Sequence, residues 1–316
     1  MAAGALVTDI TGLIAQRLAL GLFMGAVFPV TVGILVDLFP PGQRGRLASV
    51  IDATYFCAVI VLGWAAAIWI EIDWRFLFWP AGTLMILIGL GALRLSLSDH
   101  ADDRPHRAPL ARDLFAPALR RRTLALTALV SANACGHQAF VGWFTVYLIE
   151  VNGVSSEGVA ATLTAQYSGS IIGGFAWGLV IDKAGRRAGA IGLIAAGVFT
   201  MLFVLAPGPL FIQQAAVFGF GFGFGFAAVA TIGPWLAELY PPALREPATS
   251  IFQWGRSVSL AAPPVTGVLA EAIGLSAVMG LAAAAFVASG LIWRALPETH
   301  HQAWRSTVPH PKRSAR

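Results

Sequence analysis

Charge is what this chain has least of. Lys, Arg, Asp and Glu make up 12% of the 316 residues, against about 25% in soluble domains. The few charges also cluster and leave long windows almost free of them. A soluble core of this size cannot hide a composition that is 57% hydrophobic, so a soluble globular class is set aside. Cysteine is equally scarce. Cys57 and Cys135 are the two cysteines, both inside apolar windows, which excludes a disulfide framework. Phosphate-binding Walker loops, nucleophile elbows and Cys/His metal spacings are also missing. No enzyme chemistry, cofactor or metal is therefore expected. The apolar N-terminal stretch has no basic leader and is not read as a cleavable signal peptide.

What is present is a series of apolar windows long enough to cross a bilayer, which takes about 20 residues each. They lie near 12–38, 48–70, 75–96, 123–149, 158–181, 188–206, 209–238, 247–270 and 274–295. A short apolar piece, Met1 to Thr8, precedes them. The pattern predicts an all-α membrane protein with about nine complete spans plus a remnant, whose first partner is the lipid bilayer.

The net charge is +5. A basic balance can mark a nucleic-acid binder, but here the cations sit in alternate loops. One set holds Arg44, Arg46, Arg94, Arg104, Arg107, Arg112, Arg120 to Arg122, Lys183, Arg186, Arg187, Arg245 and the tail from Arg294. The opposite loops hold Arg75 among Asp9, Glu71, Asp73, Glu150, Glu157 and Glu271. By the positive-inside rule the basic loops and the C-terminus face the cytoplasm. This predicts a multi-pass protein of the plasma (inner) membrane and no nucleic-acid partner. The 97–122 loop is the longest, and its Pro, Asp and Arg content reads as a solvated connector.

The chain also repeats itself. "VDLFPPGQRGRLASVI" from Val36 and "AELYPPALREPATSIF" from Ala237 align with every pair 201 positions apart. Asp37 meets Glu238, Pro40 and Pro41 meet Pro241 and Pro242, Arg44 meets Arg245, and Ser49 meets Ser250. Two halves built alike in one membrane chain suggest a transporter. The predicted organisation is a first half over 1–96, a cytoplasmic connector over 97–122, a six-helix second half over 123–296 and a cytoplasmic tail over 297–316. On the same offset the second half's start has no counterpart. The first two spans and part of the third are thus expected to be missing, and Met1 to Thr8 would be the end of that third span.

These residues resemble the major facilitator superfamily. "GLVIDKAGRR", Gly178 to Arg187, is similar to the family's loop signature G-x-x-x-D-[RK]-x-G-R-R. "GPWLAELYPPALRE", Gly233 to Glu246, and "LPETH", Leu296 to His300, resemble segments of sugar-porter-type members. "WGRSVSLAAPPVTG", Trp254 to Gly267, is similar to span eleven of aromatic-acid and related organic-acid proton symporters. The loop after span six, "RLSLSDHADD", departs from the sugar-porter pattern, and the first-half signature loop and the span-one acidic residue many proton-coupled members use are absent. The resemblance implies a helical bundle, numbered here from span four at 12–38 to span twelve at 274–295. It also implies secondary transport by alternating access.

The candidate residues follow from charge and depth. Asp182, Arg186, Arg187, Glu238 and Arg245 fall at adjacent cytoplasmic helix ends, where ion pairs can hold that side shut or simply anchor it. Asp37, Arg44 and Arg46 have the same place in the first half. Arg256 is about ten residues into its span, near the midplane, where charge usually faces an internal cavity. It reads as an anchor for a substrate carboxylate, or as a structural cation near Pro263 and Pro264, or as a snorkelling side chain. His137, beside Gln138, reads as a proton relay or as a buried hydrogen-bonding histidine, and Asp52, near the cytoplasmic end of span five, as an interface or gating residue or a second proton-coupling candidate. Gln253, Trp254, Gln166, Tyr167 and Trp235 are expected to line a cavity with them, whereas Arg17 reads as structural or snorkelling.

"AVFGFGFGFGFAAVA", Ala216 to Ala230, alternates Gly and Phe like a strand or a disordered repeat. Its place inside span ten makes it helical instead. At 100° per residue Gly219 and Gly223 share one face, and Gly221 and Gly225 the opposite one, so the span should be sandwiched between two close neighbours. The function expected is proton-coupled symport of a small organic anion by a monomer. Sugar uptake, efflux, or a non-transporting fragment remain as alternatives.

Overall fold

The computed structural model describes residues 2–23, 41–93, 111–206, 208–225, 235, 239–241 and 244–297. Among them every regular element is helical. α1 covers Ile10–Phe23, α2 Pro41–Asp73, α3 Phe78–Ala92 and α4 Pro117–Val146. α5 covers Ser156–Ala184, α6 Gly189–Leu205 and α7 Leu210–Phe224. α8 covers Arg245–Ser257, α9 Ala262–Ile273 and α10 Leu275–Ala295. Among the described residues three helical runs are long and apolar enough to cross a membrane, Trp74–Gly91, Pro117–Val151 and Leu275–Ala295.

Helix ends depart from the apolar windows for local reasons. Asp9 caps α1 by accepting from Gly12 N at 2.7 Å, as a short acidic side chain does at an N-cap. α4 starts six residues ahead of its window because Pro117 suits a first-turn position and Ala-Leu-Arg-Arg-Arg favours helix. Arg120 to Arg122, expected in the connector, thus ride on the first turns of α4. At its outer end α4 passes into one π turn, Tyr147–Val151.

Span eleven is the largest departure. A single helix was expected over 247–270. The structure has α8 and α9 separated by a 3₁₀ segment, Val258–Ala261. Pro263 and Pro264 explain it, because neither can donate the backbone hydrogen bond that would continue the α-helix through Ser259 and Leu260.

Packing follows the spans. α7 lies against both α5 and α6, α10 against α6 and α4, and α2 joins the first half to the second through α5. Trp64 Nε1 donates to Thr164 Oγ1 at 2.9 Å across that last contact. Between α2 and α3 Arg75 donates to Val7 O at 3.1 Å and lies 4.8 Å over the Trp74 ring. This fastens the short 3₁₀ piece Ala2–Leu6 to the start of α3. Arg17 is exposed and lies 5.6 Å over the Phe78 ring.

The Gly/Phe stretch is helical as far as it is described. A methyl group on Gly221 would overlap the carbonyl oxygen of Gln166, and one on Gly225 would meet Ser170 O at 2.5 Å, both on α5. On the opposite face a methyl on Gly223 would meet Gly192 O at 2.6 Å, on α6. α7 is therefore clasped by backbone on both sides. Its Phe220 fills the gaps between them, packing on Phe140 at 4.3 Å and Phe286 at 5.4 Å.

The same substitution should act with opposite signs at two glycines. Gly221→Ala drives a methyl into α5 backbone and should cost about 1–3 kcal/mol, the range for overpacking. Gly142→Ala meets open space and should gain about 0.5–1 kcal/mol from helix propensity. Thermal melting of the two purified variants checks this. A stable Gly221→Ala protein would contradict the clasp.

Candidate functional site

The site begins at the seam between α4 and span eleven. Gly255 has no side chain to hold α8 off, so Val130 of α4 packs against its backbone. Ser131 Oγ donates to Gly255 O at 3.1 Å, and Trp254 Nε1 donates to Thr127 Oγ1 at 3.2 Å. Beyond the break, Trp143 Nε1 donates to Thr266 Oγ1 at 2.8 Å. Both pieces of the span are thus tied to α4, leaving the Val258–Ala261 segment between the ties.

Arg256 sits in the last turn of α8, immediately before that segment. Its side chain is exposed and its guanidinium lies 5.5 Å over the Phe252 ring. Its own carbonyl accepts from Ser259 Oγ at 2.7 Å. Among the described residues the guanidinium has no hydrogen bond and no ion pair, with the Pro263 and Pro264 region or elsewhere. A cation–π contact leaves its N–H edges free for a planar anion.

His137 is half-buried on α4 and stacks on Phe224 of α7, with centroids 4.9 Å apart and planes 24° from parallel. Gln138, next to it on α4, is exposed. Spans seven and ten thus bring His137 and Phe224 together, while Arg256 stands on span eleven over Phe252. Gln253 is exposed and Trp254 half-buried on α8 beside them.

The other candidates lie elsewhere. Gln166 is buried on α5, its Oε1 without a hydrogen-bond partner. Tyr167 is buried against Phe56, 5.8 Å away, at the contact with α2. Trp235 stacks flat on Trp293 of α10 at 4.2 Å, inside the apolar cluster that includes Leu239 and Tyr240. Asn133, one helical turn before His137, was not anticipated. It is 8% exposed and its Nδ2 has no partner. Its signal in the sequence was a lone amide inside an apolar window.

Of the charge-cluster candidates, Asp37 and Glu238 lie outside the described residues. Arg44, Arg46, Asp182, Arg186 and Arg245, and Asp52 as well, stand on described helical backbone with side chains outside the described set. Two described arginines of this layer bond carbonyls at helix ends. Arg187 Nε donates to Leu296 O at 3.3 Å, and Arg122 donates to Leu239 O. Both use the carbonyls that helix ends leave unpaired. Beside them Thr123 Oγ1 donates to Leu114 O at 2.6 Å and lies 2.8 Å from Tyr240 Oη. Burial pushes the Tyr240 phenol above the ordinary tyrosine value, opposed by the Thr123 bond and the Arg122 charge.

A helical membrane bundle with a paired-half sequence and a broken, arginine-bearing span belongs to the class of multi-span transporters. The chain belongs to the Major Facilitator Superfamily, whose matches cover residues 1–257 and 153–314. It is also similar to the 3-(3-hydroxy-phenyl)propionate transporter of Escherichia coli (strain K12), with 26% identity over 189 residues. That match takes in 57% of this chain and 45% of the relative, so it spans less than half of the relative's length.

The Tyr240 environment sets an alkaline dependence. A phenol whose folded pKa is raised stabilises the fold fully below its unfolded value of about 10 and loses that contribution as pH rises through the folded value. Melting temperature should therefore fall on raising pH beyond about 10. Tyr240→Phe, which cannot ionise, should show a shallower fall. Equal slopes would mean the phenol ionises in the fold as readily as in water.

Proposed function

We propose that the parent activity is proton-coupled symport of a small organic anion by alternating access, with Arg256 holding the anion. The observation that carries this is the Arg256 guanidinium, about ten residues into its span by sequence, lying over the Phe252 ring with no hydrogen bond or ion pair among the described residues. A charge there costs about 2.5–3.5 kcal/mol on insertion scales, and a bound carboxylate offsets it through a charge-assisted, two-pronged bond. The His137–Phe224 stack and Phe252 give that carboxylate an aromatic neighbourhood, which favours an acid bearing a ring. The name of the Escherichia coli relative supports the same class, and 3-(3-hydroxyphenyl)propionate is the first ligand to try. Gln253, Trp254 and Gln138 flank the anion, with Gln166, Tyr167 and Trp235 in outer supporting positions.

His137 and Asp52 are the proton-coupling candidates. The cytoplasmic layer of Asp37, Arg44, Arg46, Asp182, Arg186, Arg187, Glu238 and Arg245 acts as the gate, with the protein a monomer in the inner membrane. The cytoplasmic side then carries the 97–122 loop and the C-terminus. Cysteines placed in that loop or after Pro297 should resist an impermeant thiol reagent added outside, whereas those near Gly153 should react. Outside labelling of the loop would overturn the orientation.

Binding of the acid to purified protein tests the anchor. Loss of a charged hydrogen bond is worth about 1.5–3 kcal/mol, roughly ten- to a hundredfold in affinity. Arg256→Gln should lose that much, and Arg256→Lys less, because lysine keeps the charge without the fork. Thermal stability is recorded alongside. An Arg256→Gln protein that binds normally but melts lower makes the arginine structural. One that changes in neither respect makes a neutral substrate the better reading.

A further inference from the structure

The last residues of the 97–122 connector to precede α4 are fastened to the bundle. Ala111–Phe115 form a 3₁₀ turn that packs on both α4 and α8. Three attachments fix it. The Leu114 side chain is 0% exposed and joins the apolar cluster of Leu126, Leu129 and Tyr240. The Leu114 carbonyl accepts from Thr123 Oγ1 at 2.6 Å. The Phe115 ring lies against the Trp254 indole, with centroids 5.9 Å apart and planes 33° from parallel. Leu114 suffices to anchor the turn. Phe115, 42% exposed, adds a grip on span eleven.

That grip falls on a residue already engaged at another point. Trp254 Nε1 donates to Thr127 Oγ1 of α4 at 3.2 Å, so its indole is pinned between a hydrogen bond and the Phe115 ring. Pinning a large planar side chain fixes the roll of the helix that carries it. Gly255, the next residue, offers only backbone to its neighbours Val130 and Ser131. On α8, at about 100° per residue, Arg256 lies about 40° from Phe252 and about 160° from Trp254, which agrees with its place over the Phe252 ring. The roll of α8 therefore decides where the Phe252–Arg256 pair points. Beyond Arg256 the span passes into the 3₁₀ segment Val258–Ala261. No continuous α-helix on that side fixes the direction of the guanidinium, so control comes from the Trp254 side.

We infer that Phe115 is a positioning residue for the Arg256 site, and that through it the connector sets the roll of α8. The effect on anion binding rests on Arg256 being the anchor of the acid; the grip on α8 does not.

The test compares the purified 316-residue protein with its Phe115→Ala and Phe115→Tyr variants. Two quantities are measured: amide hydrogen exchange, which reads local opening, and affinity for 3-(3-hydroxyphenyl)propionate. Phe115→Ala should raise exchange over 245–257 several-fold, leave that over 275–295 unchanged, and weaken the acid several-fold. Its melting temperature should stay within a few degrees of the parent's, because the ring is only partly buried. Phe115→Tyr keeps the ring and should match the parent in every respect. Unchanged exchange over 245–257 in Phe115→Ala overturns the grip, and so does a tyrosine variant that behaves like alanine. Exchange that rises equally over 275–295, with a lower melting temperature, makes Phe115 merely structural and overturns the inference. An alanine variant with a loosened α8 and parental affinity overturns the positioning role. A parent protein that does not bind the acid refutes the anion reading instead, and the exchange data still decide the grip.

Discussion

In hydrocarbon an apolar side chain gains little by leaving lipid for a neighbour, so what holds these helices is how closely their backbones can approach. α7 is where the approach is closest. Gly221 and Gly225 admit the α5 carbonyls of Gln166 and Ser170, and Gly223 admits Gly192 of α6. With the helix clasped from two sides, the alternate phenylalanines have little choice of direction. Phe220 joins Phe140, Phe144 and Phe286 in the outer core. Phe224, one turn on, reaches the His137 imidazole. The aromatic side of the candidate site is therefore a consequence of glycine placement on α7 itself.

The arginine-bearing helix ends follow a related constraint. Helix ends leave carbonyls without donors, and at the membrane surface an arginine can supply them. Arg187, from the family's signature loop, does this at Leu296, where span twelve ends. Arg122 does it at Leu239, where span ten ends. Each bond joins two spans that are not neighbours in sequence. Reading these arginines only against carboxylates misses that they also cap helices. A gate built on them must release helix ends as well as ion pairs.

Class, family and the approximate place of the spans could be read from the chain, because each rests on a coarse property: apolar windows, loop charge, a repeat of 201 positions and one loop signature. The two-faced burial of α7 was legible too, since glycine spacing maps directly onto helical angle. The seam of Ser131 on Gly255 and Trp254 on Thr127 was not, because such pairs lie more than 120 positions apart and small polar residues carry no spacing signal. The same holds for Trp235. A tryptophan near the end of a span reads equally as cavity wall or as core, and only the facing Trp293 decides its packing. Asn133 escaped notice because a single buried amide looks like any other interruption of an apolar run.

The two halves differ most where they should be alike. The repeat pairs span five with span eleven, yet α2 runs unbroken from Pro41 to Asp73 while span eleven breaks at Val258–Ala261. Leu62 and Gly63 stand in α2 where Pro263 and Pro264 stand in the second half. Backbone donors present in one half are absent in the other, so the break is written in two residues. Gly63 also lets Leu163 of α5 come close, and the next residue, Trp64, bonds Thr164. In span five that position makes a continuous, fastened strut. In span eleven it makes a joint, with Arg256 on one side and the Trp143–Thr266 tie on the other. A bundle with one stiff and one jointed span at equivalent places can rock about the first while bending beside Arg256 at the second. The asymmetry needs no separate hinge, only proline in one copy of the repeat and not in the other.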